Sequence, residues 1–231
     1  MPLDIVECEQ GTPEWHAARC GRVTGSKVGD VLKKISGGKP SAMRATYAGV
    51  LIAERLTNTQ SSGGYISTEM QWGKDHEGAA RAMYEWMYDA RGSTVGFVIH
   101  PKIYMSGASP DCLINTVETM NGNMRVIESC EGGLEIKCPN TSTHLDSLLD
   151  DKIKPEYIDQ IHWNMACTGA QWWDFVSYDP RLPPELQFYV NRFKRDDILI
   201  KQMELEVAKF LGEVDTTLAR LRQKFELDDA A

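Results

Sequence analysis

At 231 residues the chain is long enough to bury one sizeable core, and 42% hydrophobic with 25% charged residues is an ordinary globular balance. It has no apolar run of membrane-spanning length and no signal-peptide pattern over residues 1–11, so one domain in the cytoplasm is expected. A net charge of −8 excludes a surface that coats nucleic acid by general positive charge. The basic residues are nevertheless concentrated: residues 19–55 hold eight Lys or Arg against Asp30 and Glu54, as a phosphate-facing region would. The six cysteines form no Cys-x-x-Cys pair, which excludes zinc-ligand spacing and leaves them as small reduced side chains.

In chain order, Thr12-Pro13-Glu14 opens a first helix that carries Trp15 and Arg19 and stops at Gly21. Thr24-Gly25-Ser26 opens a second, with Val28, Val31, Leu32 and Ile35 on one face. Ser26 either caps this helix or, with the free N–H groups of the helix start, faces an anion. A loop over residues 36–41 precedes a third helix with Met43, Tyr47, Val50 and Leu51 at helical spacing, ended by a turn over residues 58–64. Ser67 caps a fourth helix reaching Asp89. Val95–Met105 reads as one buried strand interrupted by Pro101, and Asp111–Asn115 as another.

Asn121-Gly122 is a hairpin turn, and Met124–Cys130 is the returning strand. Thr141 caps a helix to Leu149, and Pro155 starts one that Gly169 ends. Gln171–Tyr178 and Leu186–Phe193 are further strands. From Met203 to Phe225 apolar residues recur every three or four positions, giving a long amphipathic helix before a frayed acidic tail at residues 226–229.

The chemistry concentrates in residues 107–139. Leu134–Cys138 alternates apolar and charged residues, so a strand turns Glu135 and Lys137 to one side. By itself that pair is equally a salt bridge on a solvated sheet face. With Asp111, which follows Ser109-Pro110, it is two carboxylates and an ammonium, the groups that hold Mg²⁺ and position a water for phosphodiester hydrolysis.

Pro110-Asp111 followed by Glu135-Ile136-Lys137 resembles the PD-(D/E)XK signature of restriction-endonuclease-like nucleases. The strings ASPDCL, LEIKCP, WGKDHE and WHAARCGRVTGS resemble the phage lambda exonuclease-like (YqaJ-type) recombination exonucleases, and the likeness runs from about residue 9 to 195. It implies an α/β fold, a central mixed sheet flanked by helices, with residues 196–231 as an appended helix and tail. It implies a 5′→3′ exonuclease that degrades one strand of double-stranded DNA from its ends and leaves 3′ single strands for an annealing protein. Two Mg²⁺ ions are the implied cofactors, with Mn²⁺ as a substitute, and a homotrimer is the implied assembly.

By the same resemblance Asp111, Glu135 and the Ile136 carbonyl hold metal, with Glu77 reaching it directly or through water. Lys137 orients or deprotonates the attacking water, and Gln160 holds that water or the phosphate. Arg19 and Ser26 grip the 5′ phosphate. Met70 stands where the family has a strand-separating wedge, although ordinary core packing explains a methionine equally well. A basic contact from the loop after Ser26 has no clean counterpart; Lys34 and Lys39 match by position only. Cys112 replaces the family's glycine, and Pro101 an acidic residue of some relatives, so neither is given a metal role. The alternatives are a site-specific endonuclease on the same core and a catalytically silent DNA-binding module.

Overall fold

The computed structural model describes residues 2–61, 67–122 and 124–226. The described elements begin with β1 (Ile5–Val6), α1 (Pro13–Arg19), β2 (Val23–Thr24), α2 (Gly25–Leu32), α3 (Ala42–Thr57) and α4 (Thr68–Tyr88). Six strands come next: β3 (Gly92–Ser93), β4 (Phe97–Ile99), β5 (Ser106–Ala108), β6 (Cys112–Ile114) and the hairpin β7 (Val117–Asn121) and β8 (Met124–Ser129). They lead into β9 (Gly132–Lys137), α5 (Thr141–Asp150), α6 (Pro155–Thr168), β10 (Trp172–Tyr178), β11 (Phe188–Lys194) and α7 (Asp197–Phe225).

A five-stranded mixed sheet, ordered β11-β10-β9-β6-β3, is the centre; β9 and β10 are parallel and the other neighbours antiparallel. A four-stranded sheet, β1-β4-β5-β2, lies beside it. The parallel β9–β10 pair requires a crossover, and α5 and α6 supply it. The alternation in β9 sorts the two faces. Leu134 and Ile136 join Ala80 and Tyr84 of α4 in one apolar cluster. On the other side Trp173 and Phe175 of β10 join the larger core built with α2, α3, α6 and α7. Helices therefore cover both faces of the sheet, the α/β architecture expected.

Three anchors fix what the site needs. Tyr84 donates to Asp174 at 2.6 Å, and Arg192 forks onto the same carboxylate at 2.7 and 2.8 Å, fastening α4 to β10. Tyr47 of α3 donates to the Arg22 carbonyl at 3.2 Å and accepts from Thr24 N–H at 3.3 Å, fixing the α1–α2 junction. The acidic face of α7 takes up part of the basic stretch: Lys34 pairs with Glu206 at 3.1 Å, Arg55 with Asp215 at 2.5 Å, and Arg44 with Glu213. Much of the basic excess over residues 19–55 thus binds the protein's own last helix. Lys34 in particular is committed there, whereas Lys39 forms no ion pair among the described residues.

Three sequence expectations need correction. Val95–Met105 is not one strand: it turns at His100–Met105 between the antiparallel β4 and β5. His100 closes that turn, its Nδ1 accepting from the Lys102 and Ile103 N–H groups at 3.1 Å each. Helix α5 is capped by Asn140, whose side chain accepts from Thr143 N–H at 2.9 Å, and Thr141 is its first helical residue. Strand β11 starts at Phe188, because residues 184–186 form a 3₁₀ turn. Helix α7 starts at Asp197 under an Asp196 cap, at the 196 bound expected for the appended helix. Residues 62–64 of the expected turn and 227–229 of the acidic tail lie outside the described residues.

His100 also carries a pH expectation. It is 2% exposed and stacked on Trp163, and burial lowers its pKa to about 4, against a weaker upward pull from Glu204. A depressed histidine stabilises the fold fully above its unfolded pKa near 6.5, and that contribution is lost as pH falls through about 4. Thermal unfolding of wild type and His100→Asn is expected to show a wild-type advantage at pH 7 that shrinks toward pH 4. The span is on the order of 3 kcal/mol, and a pH-independent difference would refute it.

Candidate active site

Strand β9 delivers Glu135 and Lys137 to the face under α6, and β6 begins just after Asp111, next to β9. Asp111 Oδ2 accepts from the Ile136 N–H at 2.6 Å, which seats this carboxylate against the middle of the acid–lysine strand. Glu135 is fully buried. Its Oε1 accepts from the Lys137 ammonium and its Oε2 from Asn164 Nδ2 at 3.1 Å. A solvated salt bridge on an open sheet face is therefore not what β9 makes. The Lys137 ammonium also lies 5.1 Å from the centre of the Tyr157 ring.

Three carboxylates share this region. Burial, and then repulsion from Asp111, pushes Glu77 up to about 7. Burial likewise pushes Glu135 to about 7; Lys137 opposes the shift and Asp111 adds to it. Burial raises Asp111 as well, against the attraction of Lys137, the Ile136 N–H and Arg81. Burial pulls the Lys137 pKa down, but Glu135 and Asp111 outweigh it and leave a firmly held ammonium. Burial raises all three carboxyls even against Lys137 and Arg81, so a further cation among them would stabilise their charged forms. The donors are carboxylate and carbonyl oxygens, the hard set that Mg²⁺ takes. Among the described residues no three His, Cys, Asp or Glu side chains form a closed cage. Mg²⁺ keeps several waters and needs only one or two carboxylates, so the residues fit it.

Helix α6 contributes more than its sequence suggested. Tyr157, Gln160 and Asn164 fall at i, i+3 and i+7, on one helical face. A side chain on Gly25, the first residue of α2, would stand 3.0 Å from Asn164 Oδ1 and 3.6 Å from Gln160 Cγ. Gly25 therefore lets α2 sit against the carboxylate site. Asn164 and Tyr157 were not among the sequence candidates, although helical spacing from Gln160 points to both. Arg81, one turn beyond Glu77 and electrostatically coupled to Asp111, was also missed.

Ser26 follows Gly25 and does not cap α2. The N-cap is Thr24, which makes no side-chain cap bond, and Ser26 is an exposed residue of the first turn. Arg19 and Ser26 line one cavity of about 550 Å³ between the α1–α2 junction and α3. The Arg19 guanidinium stacks 3.9 Å from the Trp15 ring centre and donates to Ser109 Oγ at 3.3 Å, while Trp15 Nε1 donates to the same oxygen at 2.8 Å. Burial lowers the Arg19 pKa to about 10, which leaves it charged at neutral pH. Two links join this region to the carboxylates: Arg19 donates to Ser109, two residues before Asp111, and Gly25, next to Ser26, packs against Asn164. Met70 is 57% exposed on the first turn of α4, so it is not a core residue. Pro101 lies in the exposed β4–β5 turn, and Cys112 is buried in the α4-side cluster.

A mixed sheet covered by helices, with a buried acid–lysine strand and a second carboxylate against its backbone, defines a restriction-endonuclease-like α/β protein. The chain belongs to the YqaJ-like viral recombinase domain family, whose sequence model matches residues 14–171. It is similar to the alkaline exonuclease LHK-Exo from Laribacter hongkongensis, with 43% identity and a TM-score of 0.79 over 93% of this chain and 98% of that one. The same enzyme in complex with dAMP aligns at 42% identity and TM-score 0.80, with the same coverage. A phage-related exonuclease from Haemophilus somnus 129PT, 13% identical, has a TM-score of 0.65 over 87% of this chain and 96% of that one, a likeness of fold alone. No curated protein matched the chain. Among the described residues no helix is long and apolar enough to cross a membrane.

Proposed function

We propose that this chain is an exodeoxyribonuclease that degrades one strand of double-stranded DNA from its 5′ end with the help of Mg²⁺. The observation that carries this reading is the buried constellation on β9, where Asp111 is bonded to the Ile136 N–H beside the Glu135–Lys137 pair. The 43% identity to an alkaline exonuclease over nearly the whole chain supports the activity class. The remaining 3′ strand is the substrate a strand-annealing partner would take, and a homotrimer is the assembly proposed from the family resemblance.

In this reading Asp111, Glu135 and the Ile136 carbonyl hold the metal, with Glu77 at its edge. The bound cation would neutralise charge developing on the scissile phosphate and make a water more acidic. Lys137 is kept protonated by Glu135 and Asp111, which supports a positioning role on the attacking water or a phosphate oxygen over proton abstraction. Asn164 holds Glu135 in place, and Gln160, one turn earlier on the same helix face, orients the water or the phosphate. Arg19 and Ser26 take the terminal phosphate, and exposed Met70 is available to part the strands.

The end-binding part is tested by the initial-rate ratio on duplexes with a 5′ phosphate and a 5′ hydroxyl, at one salt concentration. A charge-assisted hydrogen bond contributes on the order of 1.5–3 kcal/mol, so wild type is expected to prefer the phosphate by about ten- to a hundredfold. Arg19→Ala is expected to lose most of that preference while retaining slow cleavage. A wild-type ratio near one, or a ratio untouched by Arg19→Ala, would remove the pocket from the account.

A further inference from the structure

We infer that Asn164 is a positioning residue for the cation site: its amide N–H occupies Glu135 Oε2 and keeps the Lys137 ammonium from closing on both oxygens of that carboxylate. This goes beyond holding Glu135 in place, and it rests on the reading of Glu135 as a metal ligand.

The two oxygens of Glu135 have different partners. Oε1 accepts from the Lys137 ammonium, and Oε2 accepts from Asn164 Nδ2 at 3.1 Å. Glu135 and Asn164 are both 0% exposed, so bulk water competes for neither group. In such a setting a lysine, a compact point charge with three donors, is drawn to the position between two carboxylate oxygens. There it would bond both and set its positive charge across the face that a metal ion needs. A neutral amide satisfies Oε2 without adding charge, and a carboxylate oxygen keeps a second acceptor site for the cation.

The amide is confined from both ends. Asn164 lies in the stretch Ile161–Thr168 of α6, every residue of which is buried. Its backbone carbonyl accepts from Thr168 Oγ1 at 2.8 Å. The neighbouring Trp163 Nε1 donates to the Gly107 carbonyl at 3.3 Å, which ties this turn of α6 to β5. On the far side Oδ1 faces Gly25, where a Cβ would stand 3.0 Å away. The side chain therefore has no room to withdraw from Glu135 toward α2.

That far end also bears on why the residue is an amide. Oδ1 is buried and accepts from no donor among the described residues. A buried acceptor left unpaired lowers stability, so core packing does not explain an asparagine here. The reverse orientation would set Oδ1 against the Glu135 carboxylate and leave Nδ2 unpaired. The donor end is the one the site uses.

The test measures divalent-cation binding without DNA, with Mn²⁺ as the probe and the EPR signal of the free ion as the readout. Beside it, kcat and the DNA KM are followed across a Mg²⁺ titration. Asn164→Leu keeps the size and removes the donor. It is expected to raise the Mn²⁺ Kd and the Mg²⁺ activation midpoint by about ten- to a hundredfold, with kcat recovering at saturating Mg²⁺ and the DNA KM there unchanged. Asn164→Ser, a shorter donor that a water can extend, is expected to recover part of the affinity, and it carries the test if the leucine variant fails to fold. Mn²⁺ affinity and Mg²⁺ midpoint as in wild type in both variants would overturn the inference, as would a loss of kcat that excess Mg²⁺ does not restore. Failure of both variants to fold would make Asn164 a brace of α6 and overturn it too. Each of these outcomes leaves the site itself standing so long as Asp111→Asn and Glu135→Gln lose the ion. If those two bind Mn²⁺ as tightly as wild type, the metal reading of the site falls as well.

Discussion

Asp111→Asn and Glu135→Gln are each expected to lower DNA cleavage by about 10³-fold or more while the protein stays folded. Each substitution keeps the shape and most hydrogen bonds of the side chain and removes one charge. The amide oxygen of the Asp111→Asn variant can still accept from the Ile136 N–H, the bond that seats the residue at 2.6 Å. In Glu135→Gln the amide oxygen can still accept from Lys137, and the amide nitrogen can donate to Asn164 Oδ1 once that amide turns over, although the ammonium then has one carboxylate fewer. What disappears is an anionic oxygen for a divalent cation, and several kcal/mol of transition-state stabilisation go with it. The check is turnover against Mg²⁺ concentration, with circular dichroism as the folding control. Near-wild-type turnover at saturating Mg²⁺ in either variant would sink the site.

Lys137→Ala is the second large effect, a loss of about 10²–10⁴-fold in kcat with DNA binding retained. The ammonium is held between Glu135 and Asp111 and against Tyr157, so its position is set by groups that stay behind. Glutamine keeps much of the length without the charge and is not expected to rescue. The substitution also leaves two buried carboxylates without their counter-charge, so the metal-free variant should melt below wild type, and Mg²⁺ should recover more of the loss than it adds to wild type. If Lys137→Ala cleaves at the wild-type rate, the pair with Glu135 is structural only.

Most elements could be read from local chemistry. Thr12 with Pro13, Ser67, Pro155 and Gly169 mark helix ends that the backbone honours, because caps and breakers act within one turn. The facing of β9 was legible because a period of two leaves no other assignment for Leu134 and Glu135. What failed depended on distant partners. Nothing near Val95–Met105 announces that His100 accepts two backbone N–H groups and turns the chain. The basic count over residues 19–55 could not reveal that Arg44, Arg55 and Lys34 face carboxylates more than 150 positions away on α7. At the site, Asp111, Glu135 and Lys137 were legible as a motif. Asn164 stands one turn beyond Gln160 on the same helix face, and only that spacing, not any motif, marks it in the sequence. Ser109 was hidden because a serine before Pro-Asp looks like a turn residue until Trp15 and Arg19 are seen to share its hydroxyl.

Whether the β9 site cuts DNA from a 5′ end is tested most directly with three substrates, each digested with and without Mg²⁺. They are a linear duplex labelled at one 5′ end, the same duplex labelled at one 3′ end, and a closed circular duplex. The expected result is early release of the 5′ label as mononucleotide, late release of the 3′ label, an intact circle, and no cleavage without the metal. Early release of the 3′ label, or a cut circle, would contradict it.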